Sequence, residues 1–428
     1  LKKVLLITYY WPPAAGPGVH RWLRMSRYMH EFGYDLTVYT PENPHYQQVD
    51  PESVHAVYSG LKVIKQPIFE ITRLAEKLSG KKTGTALLNE KKTGKLSSIL
   101  MKIRGNFFIP DPKVLWVNSS VDFLLDYIQK NKIETVISTG PPHSLHLIGQ
   151  QLKLKLGIKW VADFRDPWTN IDFYQELRLG HRADAKHRKL EKAVLEQADL
   201  VTVVGETMKS EMEALGAKNC AVITNGFEFG AAPSNPVYPA HFTIAHYGSM
   251  PAARNPQALW DALKELKNEG TAWLSQIQIR LVGTVDYAVK QAIDQAGIAE
   301  LVQFSGGLSH AQSIESQNRE AVLLLVANNT PNAKGILTGK FFEYLNTGRP
   351  ILALGPIDGD LAMALRKTGA GEIFDYDHKE DIKKTLNRLF NDFKAGSLIY
   401  KASAREMYAT RYIVKHFCAE LDKLGGRN

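Results

Sequence analysis

The sequence predicts an α/β protein of two doubly wound, mainly parallel sheets, and three observations carry that expectation. A length of 428 residues exceeds what one compact core usually organises, so two domains of about 200 residues are expected. Short apolar runs without polar alternation recur along the whole chain, the pattern of strands buried on both faces. Segments of amphipathic helical length separate them, and strand–helix alternation builds parallel sheets. Hydrophobic residues make up 44% and charged residues 23%, which excludes a disordered or fibrous chain.

The first series has strand candidates at Val4–Thr8, Leu36–Thr40, Thr135–Thr139, Trp160–Ala162 and Leu200–Val204, with helices at Val19–Phe32, Val117–Lys130, Ser144–Leu156 and Arg182–Gln197. Gly226–Ala240 is rich in Pro, Gly, Ala and Ser and reads as a linker. A second series follows, with strands at Phe242–His246, Ile277–Val282, Leu301–Phe304, Ala321–Val326 and Ile351–Leu354. Its helices include Pro256–Leu266, Tyr287–Ala296, Thr338–Asn346 and Asp360–Lys367. The expected domains are therefore 1–235 and 236–405, with a terminal helix at about 406–428 packing back on the first.

Charge and cysteine usage narrow the class. Cys220 and Cys418 are the only two cysteines, too few for a disulfide framework and consistent with a reducing, cytoplasmic compartment. No run approaches the roughly 20 apolar residues of a membrane helix. The apolar start Val4–Trp11 breaks at Pro12-Pro13, so it reads as a buried strand rather than a signal peptide. Of the net charge of +9, residues 61–104 hold +8, from eleven Lys/Arg against three Glu. With the remainder nearly neutral, a nucleic-acid groove is not expected. The basic segment has little helical or strand period and reads as an insertion of the first domain, either a solvated, disordered loop or an element suited to an anionic membrane surface.

Chemistry-bearing residues cluster where strand candidates end, the edge that faces the ligand crevice in open parallel sheets. The first strand runs into Gly16-Pro17-Gly18 and a helix start, where backbone N–H groups can approach a phosphate. A tight turn without ligand has the same pattern, and the G-x-G-x-x-G dinucleotide fingerprint is absent. Ser138–His143 is a second strand exit, with His143 at a helix start. Asp163, Arg165 and Asp166 mark a third; they either serve the site or form an internal ion-pair cluster. In the second half, Gly248 ends a strand and Arg254 precedes a helix, a position equally ordinary for an exposed arginine. Thr338-Gly339-Lys340 opens a further helix on which Lys340 and Glu343, three apart, share a face; a surface ion pair would read alike. No Cys/His cluster has metal-ligand spacing, and Asp358-Gly359-Asp360 reads as a helix cap.

In their order and combination these features resemble the retaining glycosyltransferases of family 4. The resemblance runs from the Gly16–Gly18 opening through His143, Ala198–Val203 and Asn225-Gly226 to the Lys340/Glu343 helix. It implies the GT-B fold, two Rossmann-like domains facing across a cleft, and transfer of a sugar from a nucleoside diphosphate to an acceptor hydroxyl in polysaccharide or glycan assembly. Glu343 matches the second glutamate of the family's Glu-seven-residues-Glu motif, which binds ribose hydroxyls. Arg254 and Lys340 would neutralise the diphosphate, with Gly248 and Thr338 beside them. Gly16 and Gly18 would close on the phosphates or sugar, and His143 would touch the donor sugar near the reacting carbon. Arg165 and Asp166 would lie on the acceptor side. The first motif glutamate falls at Gly335, so donor identity does not carry over.

The resemblance also implies retention, the leaving phosphate taking the acceptor proton; Arg254, Lys340 and backbone N–H groups can answer the departing diphosphate without a metal, and no cofactor is expected. The acceptor would be a glycan or a lipid-linked sugar, and the expected location is cytoplasmic, either free or peripheral at the inner face of the membrane through segment 61–104. Three rivals differ in class. A GT-B epimerase or hydrolase would need further acid/base carboxylates, a nicotinamide oxidoreductase would need the missing fingerprint, and a sugar-nucleotide sensor would bind without turnover.

Overall fold

The computed structural model describes residues 1–46, 48–70, 102, 104–171, 174–228, 238–398 and 404–426. The chain divides into two compact units, Leu1–Asn225 with Thr410–Asn428, and Gly226–Ala409.

The first unit is built on seven strands: β1 (Lys2–Ile7), β2 (Tyr34–Pro41), β3 (Lys62–Gln66), β4 (Thr135–Gly140), β5 (Lys159–Phe164), β6 (Leu200–Val203) and β7 (Cys220–Val222). All pair in parallel in the order β3-β2-β1-β4-β5-β6-β7. Chain order reverses between β1 and β4, the switch point at which such sheets open a crevice beyond the strand ends. The central strands are almost wholly buried because helices cover both faces: α1 (Pro17–Met29), α2 (Val117–Asn131), α3 (Ser144–Leu156), α4 (His181–Gln197) and α5 (Glu206–Ala214).

The second unit repeats the scheme with six parallel strands: β8 (Phe242–Tyr247), β9 (Ile277–Val282), β10 (Val302–Ser305), β11 (Val322–Val326), β12 (Ile351–Leu354) and β13 (Gly371–Phe374). Their order is β10-β9-β8-β11-β12-β13, so the switch point lies between β8 and β11. Its helices are α6 (Gln257–Asn268), α7 (Tyr287–Ala296), α8 (His310–Gln317), α9 (Gly339–Thr347), α10 (Asp360–Thr368) and α11 (Lys379–Lys394). Helix α12 (Thr410–Gly425) returns to the first unit, where Phe417 packs edge-on to Trp22 and the Tyr34 hydroxyl donates to Asp422 at 2.6 Å.

Two expectations need correction. The basic segment is not an insertion from residue 61: Lys62–Gln66 is edge strand β3, Ile68 is buried, and Glu70 accepts from the Tyr9 hydroxyl at 2.6 Å and pairs with Lys113. As an edge strand it buries only part of one face, so no apolar run announces it. Residues 71–101 and 103, which carry most of the basic charge, lie outside the described residues, as do 229–237 of the expected linker. Asp358-Gly359-Asp360 is not a side-chain cap either. Gly359 occupies the N-cap of α10 without a side-chain bond, and Asp358 pairs with Lys334 at 2.5 Å. Among the described residues no helix is long and apolar enough to cross a membrane.

Candidate functional site

The second unit gathers five of the expected residues at its switch point. Strand β8 runs out into Gly248, whose φ of 104° suits glycine and whose amide donates to the Val282 carbonyl at 2.7 Å. A Cβ on Gly248 would stand 2.7 Å from Lys340 Cε and 2.9 Å from Nζ, so the lysine side chain lies directly against this glycine. Lys340 is the second residue of α9, after Thr338, whose extended backbone forms the N-cap and whose Oγ1 is buried without a partner. Arg254 arrives from the turn Ala252–Arg254. Its Nε donates to Asn328 Oδ1 at 2.6 Å, beyond the end of β11, and its Nη1 reaches the Ser249 carbonyl at 3.4 Å.

The electrostatics of this group are unbalanced. Burial, and then repulsion from Arg254, pull Lys340 down to about 8, with Glu343 opposing. Burial likewise lowers Arg254. Among the described residues neither cation pairs with a carboxylate, and Lys340 has no hydrogen-bond acceptor. The surface-pair alternative for Lys340 and Glu343 therefore fails. Glu343 is one-third exposed, its Oε1 3.9 Å from His310 Nδ1. Two partly desolvated cations beside a helix N-terminus and a glycine without a side chain are a combination whose chemistry suits a multiply charged oxyanion. At position 335 the short turn Ala333–Gly335 offers no carboxylate.

The first-unit candidates lie in the turns and helix starts that follow β1, β4 and β5. Gly16 is the N-cap of α1 with a φ of 99° and open space where a Cβ would stand. Gly18 is occupied from within: its carbonyl accepts from Arg165 Nη1 at 2.7 Å, and a Cβ there would meet the same atom at 2.7 Å. Arg165 also donates to the carbonyls of Gly140, at 3.2 Å, and Pro141. Its fork thus sews the turn after β1 to the turn after β4, while Asp166 is exposed. The predicted cluster of Asp163 with Arg165 and Asp166 has a different centre. Fully buried Asp163 pairs with Arg21 at 2.9 Å and accepts from Trp22, Thr139 and Thr202 at 2.8 Å each.

His143 opens α3 as its N-cap and is 9% exposed. Its ring lies flat on Trp168, centroids 5.0 Å apart and planes at 6°, and its Nδ1 is buried without a partner. Burial, then His146 and Arg165, push it well below the usual histidine range, so the imidazole is neutral at pH 7. Trp168 is in turn held by His187, whose Nδ1 accepts the indole N–H at 3.1 Å. Sequence reasoning missed Asn328, Arg21, Trp168 and His187. Asn328 alone had a readable signal, as a polar residue just beyond a strand end.

No family model matches the sequence, and no curated protein matches it. Solved structures do. A sucrose-phosphate synthase from Thermosynechococcus elongatus superposes with a TM-score of 0.62 at 14% identity over 100% of both chains. A glycosyltransferase from Rickettsia africae gives 0.62 at 13% identity, over 100% of this chain and 99% of its own. The lipopolysaccharide outer core galactosyltransferase WaaB gives 0.58 at 13% identity, over 99% of each. The fold is GT-B. At these identities the likeness concerns architecture alone, and within GT-B architecture the cationic group belongs to the second Rossmann-like unit.

Proposed function

We propose that the chain is a glycosyltransferase that moves a sugar from a nucleoside diphosphate to an acceptor hydroxyl in glycan assembly. The observation that carries this reading is the couple Lys340 and Arg254, which among the described residues pair with no carboxylate, with Lys340 at the start of α9 lying against Gly248. A departing diphosphate needs fixed positive charge that is already desolvated, and such charge acts without reorganising during the reaction. Lys340 and Arg254 bind the phosphates, backbone N–H groups at Gly339 and Lys340 complete the shell, and the Glu343 carboxylate accepts from the ribose hydroxyls. The Gly335 turn leaves the donor sugar without the carboxylate the family-4 pattern would supply, so other groups select the sugar.

The family-4 resemblance assigns His143 to the donor sugar, and its neutral ring suits a polar contact there rather than general acid or base work. Gly16 and Gly18 belong to the turn that Arg165 braces. Retention follows from the family-4 resemblance, with the leaving phosphate taking the acceptor proton. The fixed cations do the work of a metal, so turnover survives EDTA. Loss of activity that manganese or magnesium restores would refute that.

The charge concentrated in residues 61–104 supports a cytoplasmic enzyme docked on an anionic inner leaflet, where it meets a lipid-linked acceptor. Co-sedimentation with phosphatidylserine vesicles that ignores salt, and ignores Lys81, Lys82, Lys91 and Lys92 changed to Gln, would remove the membrane from this account. The main test is a thermal-shift screen of nucleoside diphosphates and their sugars. A bound donor at 100 times its dissociation constant adds about 2.7 kcal/mol of stability. Product analysis with and without acceptor then separates transfer from epimerisation or hydrolysis. A protein that no nucleoside diphosphate stabilises is not this enzyme.

A further inference from the structure

Strands β8 and β11 pair only at their first turns of contact, Ile244 with Val322 and Ala245 with Leu323. One residue later the two strands part, although β8 stays paired with β9 through Tyr247 and Val282. Parting a parallel ladder inside a buried sheet exposes an N–H on one strand and a carbonyl on the other, and leaving such groups unmet is costly. Both are met by side chains. The Tyr247 N–H donates to the Tyr344 hydroxyl at 3.0 Å, and the Leu324 carbonyl accepts from His246 Nδ1 at 3.0 Å. A carbonyl can only accept, so His246 carries its proton on Nδ1. Burial and the nearby Lys340 keep the ring neutral, its pKa pulled down to about 4.

The phenol comes from α9, four residues after Lys340 and therefore on the same helical face. Gly248 directly follows the residue that Tyr344 holds. Other contacts fix that point of the chain. The Tyr247 hydroxyl donates to Glu320 at 2.5 Å, Glu320 pairs with Arg280, and a Cβ on Gly283 would strike the Gly248 carbonyl at 2.5 Å. The helix bearing Lys340 is thus registered, through one hydroxyl, to the glycine on which the lysine rests.

We propose that Tyr344 and His246 are positioning residues of the oxyanion site: they hold β8 and β11 apart at the switch point and so seat the Lys340 ammonium against Gly248. The proposal rests on the reading of this site as a diphosphate site. Its consequence is selective. Removing the hydroxyl should weaken the contact to phosphates and leave the contacts to the nucleoside unchanged.

The test uses UDP, GDP and ADP, each beside its nucleoside, titrated into the full chain by ligand-observed NMR and calorimetry. Tyr344→Phe should lower diphosphate affinity about tenfold, the size of one charge-assisted contact, with nucleoside affinity unchanged. His246→Leu should act in the same direction, and His246→Asn, which keeps a donor for the Leu324 carbonyl, should restore most of the loss. Because the hydroxyl acts through the lysine, Tyr344→Phe combined with Lys340→Met should bind no more weakly than Lys340→Met alone. Equal losses for nucleoside and diphosphate, or losses that add in the double variant, would overturn the positioning role. A wild-type chain that binds none of the diphosphates overturns the diphosphate reading first, and this proposal with it.

Discussion

Lys340 should make donor affinity depend on pH in a window where few side chains titrate. Without ligand its pKa is about 8, lowered by burial and by Arg254. A bound diphosphate supplies the missing negative charge and moves it back towards its ordinary value, so the donor binds the protonated form. With a pKa of about 8 the protonated fraction falls from about nine-tenths at pH 7 to about one-tenth at pH 9, and affinity should fall roughly tenfold with it. The same shift acts on stability. A lysine whose folded pKa lies below its unfolded one penalises the folded state while both forms are charged, and the penalty fades as pH rises from the folded to the unfolded value. From 10.5 to about 8 it amounts to at most about 3 kcal/mol. Unliganded Lys340→Met should therefore melt higher than the wild type at pH 7, with the gap closing between pH 8 and 10.5. The assay is calorimetric titration of an adenosine-diphosphate sugar, or of another donor with its base ionisation subtracted, since the diphosphate diester itself does not ionise between pH 7 and 9, paired with thermal melts. Wild-type affinity that stays flat between pH 7 and 9, or Lys340→Met retaining the wild-type slope, would refute the placing of this lysine on the phosphates.

Other perturbations separate the site from its scaffold. Glu343→Ala should weaken donor binding at least about tenfold with the melting temperature unchanged, since charge-assisted bonds to ribose hydroxyls contribute about 1.5–3 kcal/mol each; unchanged affinity by titration would remove the carboxylate from the site. Gly248→Ala should impair diphosphate binding more than Lys340→Met does, because a Cβ at a φ of 104° strains the backbone and stands 2.7 Å from Lys340 Cε; wild-type affinity would show that the lysine is free to move aside. Asp163→Ala should cost about 3–5 kcal/mol in chemical denaturation by stranding buried Arg21, and leave donor affinity intact in whatever remains folded; a mild loss would mean that Arg21 finds water. His143→Ala should lower turnover more than donor affinity, and equal losses in steady-state kinetics would return the ring to a purely structural role.

Much of the architecture is local information. Ile277–Val282, Tyr287–Ala296, Ser144–Leu156 and Ile351–Leu354 are found at the bounds predicted for them; Ile351–Leu354 is buried at every position, while Ile277–Val282 is apolar except at exposed Gln278 and half-buried Arg280. The strands left unread, β3, β7 and β13, all lie at sheet edges, where partial burial relaxes that demand. Helix α8 is equally quiet: its capping box at Ser309 and Gln312 is clear, but within the helix only Gln317 is buried, so no apolar stripe marks it. Gly248, Arg254, Thr338 and Lys340 were legible as strand-end and helix-start residues, and Glu343 as a residue one turn further along the same helix, because these positions follow from local sequence pattern.

The sequence by itself determined the two βα series, the strand exits at which chemistry gathers, and the residue types that suit a diphosphate. Only the tertiary structure decided which charges are spent and which remain. Arg165 and Arg254 look alike as arginines after strand ends, yet the fork of one is taken up by three backbone carbonyls, while the other donates to Asn328 and, among the described residues, pairs with no carboxylate. Asp163 is claimed by Arg21 from 142 positions away rather than by its neighbours. Lys340 leaves Glu343 and lies on Gly248, a glycine far back in the chain. Pairing of charges is a property of distance and burial, and for residues this far apart in sequence both are fixed only when the strands assume their order in the sheet.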